Sequence, residues 1–378
     1  MLKHYTFHPT VVVRTPFLPF SPQNLTEAHL RMVLHEDWFL EAIFLASPSL
    51  YRTAIAWRDG AMLEKRKEEK LWASLTKYYS RMMSRCTPFG LFASCTALKW
   101  GEATPISLSQ QDTQRHTRLD MHFLCALALS LAQNPNIRPY LTYFPNSSLY
   151  PIGNELRYVE YVYVEGRRNH QISAVDTTDY LESVIKTAQT GACYGDLVGV
   201  LVNDEITTSD AQLFIDELIA AQLLVSELEP TITGGSFLQQ IVQVLEKVFA
   251  QTQSSELGFI INQLDQINQS LNGLDNQKTN SISDYEQLIE LLKTLNVTIE
   301  ENKLVQTDLF RELPEGQLPL ASQQDIQAAL EVLNRLSTKR KNSHLDAFAQ
   351  RFLARYDTQE IPLLEALDTE IGIGYLYR

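Results

Sequence analysis

A chain of 378 residues is long enough for two or three domains, and its 44% hydrophobic, 20% charged composition excludes a disordered or fibrous protein. No run approaches the roughly 20 apolar residues that span a bilayer, and the N-terminus lacks the apolar core and cleavage site of a secretory signal. The net charge of −13 argues against indiscriminate nucleic-acid binding, while leaving room for a locally basic surface.

In chain order, Val11-Val12-Val13 predicts a short buried strand ending at Arg14-Thr15-Pro16. Thr26 caps a predicted helix over residues 27–46, with Leu30, Val33, Leu34, Phe39 and Ile43 on its apolar face. Ser47-Pro48 restarts the helix as cap and first-turn proline. A longer helix is predicted over 62–85, where Leu71, Leu75, Tyr78 and Met82 recur at helical spacing. Thr87-Pro88-Phe89-Gly90 ends it, because a residue before proline avoids helical geometry. A strand over 91–98, a polar loop and a helix from Asp120 complete a first part, residues 1–146.

The second part, 147–229, begins with a predicted hairpin: a strand over 158–164, a turn at Glu165-Gly166-Arg167 and a return strand over 170–175. Three short helices (178–189, 194–202 and 209–222) and an extended Leu223-Leu224-Val225 follow. Hairpin, three helices and a final strand form the layout of a winged helix-turn-helix. The third part, 230–378, is mainly helical, with candidates at 238–249, 257–271, 285–295, 325–336 and 345–356. A buried strand is predicted over 304–310, before a turn at Pro314-Glu315-Gly316. The expected fold class is therefore α+β: a mixed N-terminal region, an inserted winged-helix-like module and a mainly helical C-terminal region.

Common catalytic signatures are missing. There is no phosphate loop, no G-x-G-x-x-G and no G-x-S-x-G, and His35-Glu36 lacks the second histidine of a zincin. Cys86, Cys95, Cys125 and Cys193 form no C-x-x-C pair and have no histidine at zinc spacing, so no metal or cofactor is expected. Free thiols in a reducing cytoplasm are the plain reading. Between Arg58 and Arg85, eight basic residues face four acidic ones. That excess suits either a solvated helix face with i,i+4 pairs or a phosphate-docking surface. Arg81 and Arg85 share one helix face with Lys77. Two guanidinium forks grip phosphate or carboxylate better than ammonium does, whereas a helix C-terminus also attracts arginine as a simple cap.

Residues 81–92, R-M-M-S-R-C-T-P-F-G-L-F, resemble the R-x-x-x-R-x-T-P-F-G segment of class I lantibiotic (lanthipeptide) dehydratases. Val13-Arg14-Thr15-Pro16 resembles their N-terminal R-T-P element, residues 39–51 the helix pair that follows, and Arg118-Leu119-Asp120 their R-x-D. Residues 352–375 resemble their F-x-x-R-Y-x-x-x-x-I-P-L-L-E-A-L-D-x-E-I-G-I-G-Y stretch. The resemblance implies transfer of glutamate from glutamyl-tRNA, as co-substrate, to Ser or Thr of a precursor peptide, before a separate domain eliminates it. It implies roles in glutamylation for Arg14, Arg81, Arg85, Thr87, Asp120 and Asp308. For Asp120 the competing role is a helix N-cap, and for Asp308 a strand-end turn. Lys65, Arg66, Lys67 and Lys77 are the expected tRNA contacts.

The winged-helix-like part, 147–229, is the expected leader-peptide recognition element. The leader would add to the edge at 170–175, against a groove formed by Ile172, Phe214 and Leu218; the competing role is ordinary core packing, above all for Phe214. Expected partners are the precursor peptide (leader and core), glutamyl-tRNA, an elimination domain or partner chain, and a second copy in a homodimer. Family members that carry the whole reaction are longer, so a truncated or split glutamylation domain is expected here. A binding module that needs a partner chain is the alternative. A DNA regulator fits poorly, because residues 209–222 hold Asp210, Asp216 and Glu217 and no Lys or Arg.

Overall fold

The computed structural model describes residues 5–21, 25–102, 113–164, 167–231, 233–297, 300, 303–313, 316–337 and 343–375. Glu165-Gly166 and Pro314-Glu315 of the two expected turns lie outside them. In chain order, β1 (Thr10–Pro16) leads to α1 (Glu27–Val33), α2 (Asp37–Ala46), α3 (Pro48–Arg58) and α4 (Lys65–Ser84). Next come β2 (Ala93–Gly101), β3 (Thr113–Leu119), α5 (Met121–Gln133), β4 (Thr142–Pro145), β5 (Tyr150–Ile152), β6 (Glu155–Val164) and β7 (Arg167–Asp176). They are followed by α6 (Asp179–Ala188), β8 (Ala192–Cys193), α7 (Tyr194–Gly199), α8 (Thr208–Ala220) and β9 (Leu224–Ser226). The remainder is α9 (Phe237–Thr252), α10 (Ser255–Asp275), α11 (Ile282–Lys293), β10 (Val305–Arg311), β11 (Gln317–Pro319), α12 (Ala321–Leu336), α13 (Ser343–Tyr356) and α14 (Leu363–Leu367). Helix and sheet are mixed, as the sequence predicts. Contacts group the chain into two compact units, Met1–Ser130 with Pro230–Asn334, and Leu131–Glu229 with Arg335–Arg378.

In the first unit a sheet runs in the order β1-β2-β10-β3, with β11 beside β2. β10 lies parallel to β2 and antiparallel to β3, so a strand from beyond residue 300 completes a sheet begun at residue 10. Alternation sends Ser94, Thr96, Thr117, Thr307, Leu309 and Arg311 inward, where all are buried. Helices α1 to α4 pack Leu30, Phe39, Ile43, Trp57, Leu71, Leu75 and Met82 into one core with Leu91, Phe92 and Leu309. Each fully buried large side chain there contributes about 1.5–3 kcal/mol. A polar knot crosses this core. Glu41, 1% exposed, accepts hydrogen bonds from Arg115, from Tyr285 Oη (2.7 Å) and from the side-chain amide of Asn280 (3.0 Å). Burial, with Glu41 beside it, pushes the Tyr285 hydroxyl well above the ordinary tyrosine range.

Several expectations are corrected here. Val11-Val12-Val13 is not a buried strand: β1 is the sheet's edge, and Val12 is 61% exposed. The helix expected over 27–46 is two helices, because Leu34 closes α1 with its N–H directed at Leu30 and Met32 carbonyls before α2 begins. The polar loop expected after residue 98 contains β3. Its inward residues include Arg115 and Thr117, which hid the alternating apolar signal; Arg115 pairs with Glu41, and Thr117 Oγ1 lies 3.1 Å from Thr307 Oγ1. The cap residues stand as read: Thr26 accepts from His29 N (3.2 Å) and Ser47 from Leu50 N (3.3 Å).

The second unit holds two three-stranded sheets, β8-β4-β9 and β5-β6-β7, together with α6, α7 and α8. β6 and β7 form the expected hairpin, paired from Glu155↔Asp176 to Val164↔Arg167. Residues 335–378 group with this unit rather than forming a separate third part. The buried Asp368 explains part of that grouping: it accepts from Tyr150 Oη (2.9 Å), Arg157 (2.9 Å) and the backbone N–H groups of Glu370 (2.8 Å) and Ile371 (3.1 Å). Among the described residues no helix is long and apolar enough to cross a membrane.

Candidate functional site

The site begins at the C-terminal end of α4. Arg85 leaves the helix in extended geometry, donating its N–H to Arg81 O at 3.0 Å. The chain then reverses through Thr87-Pro88-Phe89-Gly90, where Gly90 takes a φ of +51° that favours glycine. Two backbone bonds fasten β1 to this corner, Leu18 N to Met82 O (2.9 Å) and Phe17 N to Phe92 O (3.0 Å). The turn places the Phe89 ring under Arg81, whose guanidinium carbon lies 4.5 Å from the ring centroid. Phe89 in turn stacks against Phe92, and Phe92 against Tyr78, at 5.5 and 5.3 Å.

Around this corner lies a cavity of about 630 Å³ lined by Ser74, Lys77, Tyr78, Ser80, Arg81, Ser84, Arg85 and Phe89. Its lining holds, among the described residues, three cations and no carboxylate or histidine. Among the described residues, the Arg81 and Arg85 guanidinium groups donate to no carboxylate or carbonyl, and the buried Arg81 Nε has no hydrogen-bond partner. A cap of the helix carbonyls would satisfy those donors. The geometry instead leaves two forks available to an anion.

The other expected residues lie elsewhere. Arg14 is exposed on β1, opposite Cys95, which is itself opposite Phe310 of β10. Asp308 is two residues before Phe310, so it shares the outward sheet face with Arg14. It is no strand-end turn residue but sits mid-strand, ion-paired to Arg118 at 2.7 Å. Arg118 was legible only as part of the R-x-D motif. Asp120 accepts from His122 N at 2.8 Å at the start of α5, and its own N–H bonds Leu304 O at 2.8 Å. That is a helix cap which also ties β3 to β10. Thr87 is exposed in the turn. None of Arg14, Thr87, Asp120 and Asp308 lines the α4 cavity. Lys65, Arg66 and Lys67 are exposed at the far end of the helix, and Lys67 pairs with Glu64 at 3.3 Å.

In the second unit β7 is an edge strand, and Ile172, 51% exposed, is open to solvent. Phe214 is half-buried on α8. Leu218 is corrected from groove wall to core: it is 5% exposed, on a helix packed against α7 and β9.

These features belong to a recognisable class. The chain matches the model of the lantibiotic dehydratase N terminus over residues 35–377 and belongs to that family. It is similar to subtilin biosynthesis protein SpaB of Bacillus subtilis, 24% identical over 98% of this chain and 36% of SpaB. Nisin biosynthesis protein NisB of Lactococcus lactis subsp. lactis is likewise 24% identical, over 98% of this chain and 36% of NisB. The fold is that of the tRNA dependent lantibiotic dehydratase MibB from Microbispora sp. 107891, with a TM-score of 0.79 at 23% identity over 97% of this chain and 35% of MibB. The glutamylation domain TbtB from thiomuracin biosynthesis superposes with a TM-score of 0.57 at 16% identity, over 87% of this chain and 39% of that one. The chain thus spans about a third of the length of these relatives.

Proposed function

We propose that this chain supplies part of a peptide-glutamylating centre, in which a Ser or Thr hydroxyl of a precursor peptide takes glutamate from glutamyl-tRNA. The observation that carries the reading is the cavity at the end of α4, where Arg81, Arg85 and Lys77 converge and, among the described residues, no carboxylate lines it. In the acyl transfer the hydroxyl oxygen forms a new ester bond to the glutamyl carbonyl carbon. The bond to the terminal ribose oxygen breaks, and the hydroxyl proton ends on that leaving oxygen. Preorganised guanidinium groups favour such a step by orienting phosphates or the glutamyl carboxylate and by stabilising developing negative charge. Leader binding belongs in this reading to the β7 edge, by strand addition.

One observation favours a second reading. Among the described residues the cavity lining holds no carboxylate or histidine, Asp120 caps a helix and Asp308 is paired with Arg118. The chain would then be a peptide- and tRNA-docking module that acts with other parts of the enzyme, including its elimination domain. Incubation with precursor peptide, glutamate, glutamyl-tRNA synthetase and tRNA, read by mass spectrometry, separates the two. Glutamyl adducts made by this chain alone support the first reading; leader binding without adducts supports the second.

A further inference from the structure

Helix α4 carries more than its C-terminal cavity. At 3.6 residues per turn, Arg66, Lys70, Ser74, Lys77, Arg81, Ser84 and Arg85 fall within one arc of about 100°. Leu71, Leu75 and Met82 lie outside that arc and are buried. The acids nearby are turned off it: Glu64 precedes the helix and pairs with Lys67, and Glu68 accepts from Trp57 Nε1 at 2.8 Å. Glu69 falls roughly 60° to the other side. Among the described residues Arg66, Lys70, Lys77, Arg81 and Arg85 form no ion pair. The result is a stripe of five cations and two hydroxyls, roughly 28 Å long at 1.5 Å per residue. It lies on a protein whose net charge is −13.

A single phosphate or carboxylate engages one turn of such a stripe; only an extended polyanion uses it all. One end differs from the other. At the Arg81–Arg85 end the wall is aromatic, with Tyr78 and the 40%-exposed Phe89, surfaces on which unpaired bases stack. At the Arg66–Lys70 end the exposed cations suit duplex phosphates, which position a nucleic acid without reading its sequence. We infer that α4 is the docking track for the acceptor arm of the aminoacyl-tRNA, with the unpaired 3′ end in the cavity and the stem phosphates along Lys70 and Arg66. This rests on the glutamylation reading and adds Lys70, Ser74 and a direction to it. It also separates Arg66 from Lys65, which lies roughly 100° off the arc, and from Lys67, which sits at the arc's edge with its charge paired to Glu64.

The test is binding of an RNA minihelix, an acceptor stem with an unpaired 3′ end, to the 378-residue chain across a salt series. Melting temperature is the folding control. Arg66→Gln with Lys70→Gln is expected to weaken binding about 10-fold or more and to flatten the salt slope by roughly 1.5–2, as two lost phosphate contacts require. Lys65→Gln with Lys67→Gln removes the same charge from the off-arc Lys65 and from Lys67, already paired to Glu64, and is expected to weaken it less than about 3-fold. Phe89→Leu is expected to weaken the overhanging minihelix and leave a blunt stem unaffected. Equal losses in the two double variants would reduce the track to diffuse attraction and overturn it, as would no loss in either. Equal effects of Phe89→Leu on blunt and overhanging RNA would overturn the direction. The outcomes stay distinct from the parent reading: minihelix binding with this pattern but no glutamylation in any assembly sinks the reading, and glutamylation without the pattern sinks the track.

Discussion

At Arg81 and Arg85 the question is whether the site needs charge or a guanidinium. Lysine keeps the charge but loses the planar fork and, at Arg81, much of the stacking on Phe89. We expect Arg81→Lys and Arg85→Lys to slow glutamylation roughly 100-fold or more at unchanged melting temperature. A helix-end contact worth only about 0.3–1 kcal/mol would leave the rates near normal. Asp120 poses the converse question, because its observed role is a cap. Asn caps as well as Asp, so Asp120→Asn should melt like the parent chain, while Asp120→Ala loses about 0.5–2 kcal/mol. If the Asn variant also glutamylates normally, Asp120 is architectural; a rate loss at full stability would assign its charge to the reaction.

At the scale of elements, the edge strand β7 and the helix α4 do different work, and one substitution tests their independence. Proline at Ile172 removes a backbone donor from an edge where a leader strand would pair. Ile172→Pro should therefore weaken leader affinity while leaving minihelix binding alone, measured on protein whose circular dichroism matches the parent. Unchanged leader affinity in that variant would move the peptide to another surface. The α4 stripe, by contrast, was legible in the sequence, since helical periodicity alone puts Lys77, Arg81 and Arg85 on one face. Its polarity was not, because Phe89 comes under Arg81 only through the turn at Gly90.

Across the whole molecule, two buried polar knots join segments far apart in sequence. Removing Glu41 leaves Arg115 buried without its counter-charge, and Glu41→Ala should cost about 3–5 kcal/mol in urea unfolding. Asp368 makes stability depend on acid. Burial alone would raise its carboxyl, but the N–H groups of Glu370 and Ile371, with Tyr150 and Arg157, hold it below the usual aspartate range. Burial and the bond to Asp368 push Tyr150 the other way, up to about 12. A carboxyl whose folded pKa is depressed contributes fully above its unfolded value of about 3.9 and loses that contribution as pH falls through it toward the lower folded value. The gap in urea midpoint between the parent chain and Asp368→Asn should therefore be widest near neutral pH and shrink below about pH 4. A constant gap down to pH 3 would show that Asp368 acts through shape alone.

What the sequence determined by itself is what depends on near neighbours: the caps at Thr26 and Ser47, the break before Pro88, the hairpin of β6 and β7, and the shared face of Arg81 and Arg85. The motif segments, local in sequence, carry the family resemblance as well. What only the tertiary structure decided depends on partners far along the chain. β3 was read as loop because its inward Arg115 and Thr117 are polar, and their partners are Glu41, 74 residues away, and Thr307, 190 away. The placement of β10 between β2 and β3 pairs Asp308 with Arg118 across 190 residues. Local periodicity records which side of an element is buried; it carries no information on which distant strand or charge will bury it.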